Sequence, residues 1–292
     1  MINQNPKDWV VILGSGNSIN YLPKNLINWI NRCDARIAIN KFGYFYDETE
    51  IVPTDLYFHD YKNKTAFYFL KASIKKLSSQ KNIKFYISDE LKNKVIRSKV
   101  KFNSRIFTNK TISIITSILR KTLKPFSRKL FDNLNGTLAK KVKRNPLYFS
   151  KDKIIRYVEI KELFDVENKW GESYDQPLFH FRGSLTTVFN TISIEYPNHN
   201  VLMVGVDMNN SRYFFDKQLA KISSKADFGK DWTSIHMEDH GKHFSAIEME
   251  GVTMFDRMQY CVDKLKDSNN YLYAYPMENA SIFKDAVTVF KV

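Results

Sequence analysis

Small, donor-rich residues gather at a few places in this sequence. Gly14-Ser15-Gly16-Asn17-Ser18 follows an apolar run and precedes helical sequence. Two glycines there let backbone N–H groups approach an anion, and a following helix start adds positive potential. The chemistry would be phosphate binding. No Gly-Lys-Ser/Thr follows, so this is not a Walker loop, and the third glycine of a dinucleotide fingerprint is missing. A plain strand-to-helix turn explains it equally well. Phe179-His180-Phe181-Arg182-Gly183-Ser184 sets a cation before a hydroxyl-rich helix start. It reads as an anion-binding corner, or as a surface arginine. His236, His240 and His243 fall within eight positions, beside Glu238 and Asp239. Their spacing fits no zinc pattern. A metal site, incidental surface histidines and a general base all stay open.

These residues need a scaffold. Trp9–Leu13, Arg36–Asn40, Asp55–His59, Lys84–Ile87, Asn200–Val204 and Tyr271–Tyr275 read as short strands. Helical sequence spans about 22–32, 64–77, 184–194 and 245–265. Strands alternating with helices predict an α/β fold, Rossmann-like, with a mostly parallel sheet covered on both faces. Ligands of such sheets bind beyond the carboxyl ends of the strands. The polar residues just past those ends are Gly14, Ser15, Gly16, Asn17 and Ser18, then Asn40 and Lys41, His59 and Asp60, and Gly205, Asp207, Asn209 and Asn210.

The stretch 91–167 breaks this rhythm and is expected to be a basic, mainly helical insert between 1–90 and 168–292. Apolar residues at Ile112, Ile115, Leu119, Leu123, Phe126, Leu130 and Leu134 keep helical spacing, with Lys and Arg on the other face and a kink at Pro125. Between Leu91 and Lys161 stand 20 Lys/Arg and three acids, a net of +17 within a chain of +14. A body of −3 thus carries one strongly basic segment, and such a segment seeks phosphate in some form. A solvated helix face, an interfacial helix on anionic headgroups and nucleic-acid binding are the three readings. No nucleic-acid module is recognisable.

Composition excludes several classes. Aromatics at 14% rule out disorder as the main state, and 10 Gly with 8 Pro rule out collagen-like sequence. Cys33 and Cys261 are too few for a disulfide framework. No apolar window is long enough to span a membrane, and no targeting segment is read. A cytoplasmic protein is expected.

Taken together, the chain resembles bacterial sialyltransferases of glycosyltransferase family 42 and the related lipopolysaccharide-core Kdo transferases. Five ordered pieces carry the resemblance. Gly14-Ser15-Gly16-Asn17-Ser18 stands where the family has Gly-Asn-Gly-Pro-Ser. The second strand ends in Asn40. Arg182 precedes a small, hydroxyl-rich stretch. Gly205-Val206-Asp207 is followed by Tyr213-Phe214-Phe215-Asp216. His243 heads a long helix, five residues before Glu248. The pieces cover most of the chain outside the insert, which in this family is a lid or acceptor lobe.

The resemblance implies a variant of the glycosyltransferase A fold. It implies an enzyme that transfers a 2-keto sugar acid, with inversion and without metal or other cofactor, from its CMP donor. The acceptor would be lipopolysaccharide, lipooligosaccharide or capsule, on the inner face of the bacterial inner membrane. His243 is similar in position to the base, and Tyr213 to one of two phosphate-facing tyrosines. Asn209 takes the place of the second. Gly14, Ser15, Gly16, Asn17, Asn40, His59, Asp60, Arg182, Gly205 and Asp207 would line the donor. Departures at Ser15, His59/Asp60 and Asn209 favour Kdo or an unusual nonulosonic acid over ordinary sialic acid. The partners expected are this donor, a glycolipid or polysaccharide acceptor and an anionic membrane, with no nucleic acid and with self-association left open. The alternatives are a magnesium-dependent pyrophosphokinase-like enzyme, from the Gly-Ser-Gly turn, and a basic nucleic-acid-binding module.

Overall fold

Trp9-Val10-Val11-Ile12-Leu13 is apolar at every position, which suits a strand covered on both faces. It is one, β1 (Trp9–Leu13), and all five residues are buried. The computed structural model describes residues 4–61, 64–98, 147–162, 169–208, 212–223, 251–276, 283 and 286–292. The chain divides into two units, 1–90 with 154–292 and 91–153.

The larger unit is built on an eight-stranded sheet. In chain order its strands are β1, β2 (Ala35–Ile39), β3 (Asp55–Phe58), β4 (Lys84–Ser88), β7 (Ile154–Val158), β10 (Asn200–Val204), β11 (Tyr271–Tyr275) and β12 (Thr288–Val289). The spatial order is β12-β11-β10-β1-β2-β3-β4-β7, and every adjacent pair is parallel. The chain leaves β1 toward β2 on one side, while β10 lies on the other. The direction of winding therefore reverses between β1 and β10, and the carboxyl ends of these two strands frame the switch point.

Helices cover both faces. Val10, Ile12, Ala35, Ile37, Val201 and Met203 share a core with α4 (Ser184–Glu195) and α6 (Met254–Asp267). The opposite face carries α1 (Lys24–Ile30), α2 (Phe42–Phe45) and α3 (Lys64–Leu77). There Trp9 meets Trp29 edge-on at 5.4 Å, and Phe45 meets Phe69 at 5.7 Å. A further helix, α5 (Asp216–Ser223), follows the turn after β10. A two-stranded parallel pair, β8 (Ile160–Glu162) with β9 (Leu178–His180), leads into α4.

Three expectations change. Ile154–Val158 belongs to the main sheet, not to an insert reaching 167; it is the edge strand beside β4, with Ile155 and Val158 buried and Ile154 and Arg156 exposed. The long helix begins at Met254 rather than at 245. Gly251 adopts φ 80, and Thr253 and Asp256 form a reciprocal capping box, so helix cannot continue upstream through them. His243 thus does not head this helix. Beyond Tyr271–Tyr275 a two-residue strand, too short to carry a sequence signal, adds β12.

The smaller unit contributes one parallel pair, β5 (Val95–Ser98) with β6 (Leu147–Ser150). The helix expected over 112–134 lies outside the described residues. Among the described residues no helix is long and apolar enough to cross a membrane.

Candidate functional site

The turns after β1 and β10 are zipped together at the switch point. Gly14 N–H donates to the Val204 carbonyl at 2.9 Å, and Gly16 N–H to the Gly205 carbonyl at 2.7 Å. A Cβ on Gly14 would stand 2.2 Å from the Gly205 carbonyl oxygen, and one on Gly16 2.3–2.7 Å from the Asp207 carboxyl group. The glycines are required by this close approach itself.

Asp207 completes the zip. Its carboxylate accepts the Ser18 backbone N–H at 3.0 Å and a short bond from the Ser18 hydroxyl, at the entry to the 3-10 turn Asn17–Tyr21. An anion therefore already occupies a helix entry where a phosphate was expected, and it is supplied by the protein. Two of the glycine N–H groups expected to hold phosphate are spent on carbonyls. Asp207, expected against the donor, is buried and supports the turn. Asn17 accepts from Asn20 at 2.9 Å.

Tyr213 forms an antiparallel bridge with Gly16, and Phe214 N–H donates to the Ser15 carbonyl at 3.2 Å. The Tyr213 ring stacks on Phe215, centroids 5.1 Å apart. Burial, with Asp216 and Asp60 adding to it, pushes the phenol up to about 12. It therefore keeps its proton at neutral pH. Asp60, exposed past β3, also acts on Lys41, whose ammonium is pulled down by burial and pushed back up by that carboxylate. Asp60 thus acts on both Tyr213 and Lys41, although the three come from separate turns.

Asn40 organises the second half of the edge. Its side-chain oxygen accepts His59 N–H at 3.1 Å, and its amide donates to the Ser184 hydroxyl at 3.1 Å. One residue ties the ends of β2 and β3 to the start of α4. The His59 ring lies 5.3 Å from His180, and His180 Nδ1 is 2.8 Å from the Thr187 hydroxyl. Arg182 follows two residues later, buried, and Gly183 leads into α4 with φ 141. Asn40, Arg182 and Met208 all hold left-handed backbone, at φ 50, 53 and 51. Three such non-glycine residues past strand ends are costly, on the order of 1 kcal/mol each, and strain of this kind gathers at functional sites.

The structure thus brings together Gly14, Ser15, Gly16, Gly205, Asp207 and Tyr213 in one group, and Asn40, His59 and Arg182 around the start of α4. Asn209 and His243, with His236 and His240, lie outside the described residues. In sequence Lys41 reads only as a polar residue past a strand end, and His180 and Ser184 only as part of the corner around Arg182; the resemblance places none of them among the donor-lining residues. The strand-end rule would have found His180 had Leu178–His180 been recognised as a strand. Among the described residues no three metal-ligating side chains converge. No protein family, curated protein or solved structure matches the chain.

Proposed function

We propose that this chain is a glycosyltransferase that takes a 2-keto sugar acid from a CMP donor, without metal, and passes it with inversion to a lipopolysaccharide, lipooligosaccharide or capsule acceptor. The observation that carries the reading is the bridge between Gly16 and Tyr213. It fixes Tyr213 beside the turn at the switch point, the region where nucleotides bind in sheets of this kind.

The chemistry follows from charge. The acceptor hydroxyl loses its proton to a base as its oxygen bonds to the anomeric carbon. The bond from that carbon to the phosphate oxygen breaks, and CMP leaves carrying the electron pair. The departing phosphate gains negative charge, and on this reading the Tyr213 phenol and the Lys41 ammonium would meet it. Arg182 and His59 suit the carboxylate of a sugar acid, because a guanidinium and an imidazole both donate to it. By resemblance the base is His243; His59 is the alternative imidazole on the described edge. The +17 segment between Leu91 and Lys161 suits an acceptor carried on an anionic membrane, at the cytoplasmic face.

A thermal-shift series with CMP, CDP, UDP, GDP and ATP, each with EDTA and with magnesium, tests the reading. A ligand that binds only the folded state raises the melting temperature. A shift with CMP that ignores metal is expected. A shift confined to a triphosphate with magnesium would replace the proposal with the pyrophosphokinase reading.

A further inference from the structure

The parallel pair β5–β6 has two unlike faces. Leu147 and Phe149 are buried, whereas Ile96 and Tyr148, paired across the strands, are 40% and 44% exposed. Paired residues of a parallel ladder point to the same side, so Ile96 and Tyr148 form one outward patch. The solvent face of a strand pair is ordinarily polar. This one carries a β-branched aliphatic side chain beside a phenol.

The setting is basic. Residues 91–153 contain 18 Lys/Arg and two acids, Asp132 and Asp152, a net of +16. Exposed Lys92 and Lys94 lead into β5 after exposed Asp89 and Glu90, and exposed Lys151 and Asp152 follow β6. An apolar residue and a tyrosine flanked by lysines match the boundary between headgroups and acyl chains. There cations meet lipid phosphate, tyrosine sits at headgroup depth and the aliphatic side chain enters hydrocarbon.

We infer that the outward face of β5–β6, Ile96 with Tyr148 among these lysines, docks the protein onto an anionic lipid surface. The inference extends the membrane-bound acceptor of the proposed function and rests on that reading. Charge sets which membrane is chosen, and the two side chains hold the protein there by a contribution that salt does not screen.

Flotation of the full chain with vesicles tests this. The wild type is expected to float with phosphatidylglycerol vesicles and not with phosphatidylcholine, and less so as salt rises. The double variant I96S/Y148S should bind phosphatidylglycerol at least about fivefold more weakly at every salt concentration, with an unchanged salt slope. Y148W should bind more tightly. Both sites are exposed, and an unchanged far-UV spectrum and CMP thermal shift show that the variants remain folded. Equal binding by I96S/Y148S and wild type overturns the patch, while leaving a membrane reading based on charge. Failure of the wild type to float with phosphatidylglycerol overturns the docking surface, as does capture of an RNA oligonucleotide in its place. A CMP shift that persists in either case separates this failure from failure of the transferase reading.

Discussion

Asp207 accepts both the backbone N–H and the hydroxyl of Ser18, a residue 189 positions away in sequence. This pair joins the turns that follow β1 and β10. Asp207→Asn is expected to lower stability by about 1–3 kcal/mol, because a charge-assisted bond in a buried position is lost. Gly16→Ala should cost at least as much, since its Cβ would press on that carboxyl group. Urea unfolding measures both. Unchanged stability in Asp207→Asn would mean that the pair is not what joins the two turns.

Tyr213→Phe keeps the ring stacked on Phe215 and removes only the hydroxyl. Under the proposed function, transfer should fall by about 10²–10³, while the CMP thermal shift stays within about a degree of wild type. Single-turnover transfer from CMP-Kdo and CMP-sialic acid is the readout. Retention of full transfer would remove the phenol from the site.

The base is decided by two alanine variants. His243→Ala should nearly abolish transfer and leave CMP binding intact, whereas His59→Ala should mainly weaken donor binding. The reverse pattern would transfer the proton-accepting role to His59, which the described edge already places beside His180. Transfer rates and CMP thermal shifts for both proteins decide between them.

Asn40 is asked for two things, side-chain bonds and a left-handed backbone at φ 50. Asn40→Gly loses only the bonds, an expected cost of about 1–3 kcal/mol. Asn40→Ala loses the bonds and also strains the backbone, so it should be about 1 kcal/mol worse than the glycine variant. Equal stability of the two would show that the turn relaxes.

At the opposite edge of the sheet, Glu195 binds Arg156 at 2.7 Å and Lys84 at 3.1 Å. Burial pushes this carboxyl up, but the bonds from Arg156 and Lys84 outweigh it and hold the group below its ordinary 4.5. A carboxyl with a depressed folded value stabilises the fold above pH 4.5 and loses that contribution as pH falls through the lower value. Glu195→Gln should therefore be less stable than wild type at neutral pH, and the gap should close in acid. Urea unfolding over a pH series tests it; a gap independent of pH would contradict the assignment.

Much of the scaffold was legible from residue order. β1 and β10 could be read because short continuous apolar runs followed by Gly suit buried strands, and β11 because its tyrosines alternate with the buried Leu272 and Ala274. α3 could be read from its periodicity. The helix start at Met254 could not, because the Thr253–Asp256 capping box competed with an apolar periodicity that ran on upstream of it. β7 could not be read, because its five residues carry no strict alternation and stand in lysine- and arginine-rich sequence.

The sequence by itself determined that the sheet is parallel in character and that its carboxyl edge gathers glycines, asparagines, a histidine and an arginine. These are properties of local pattern, and local pattern decides strand, helix and turn. Only the tertiary structure decided what those edge residues do. Gly14 and Gly16 turned out to make room for Gly205 and Asp207, Asp207 to hold Ser18, and Asn40 to join three elements. A hydrogen bond across 189 residues depends on which strands become neighbours, and that follows from packing the whole sheet rather than from any short stretch of chain.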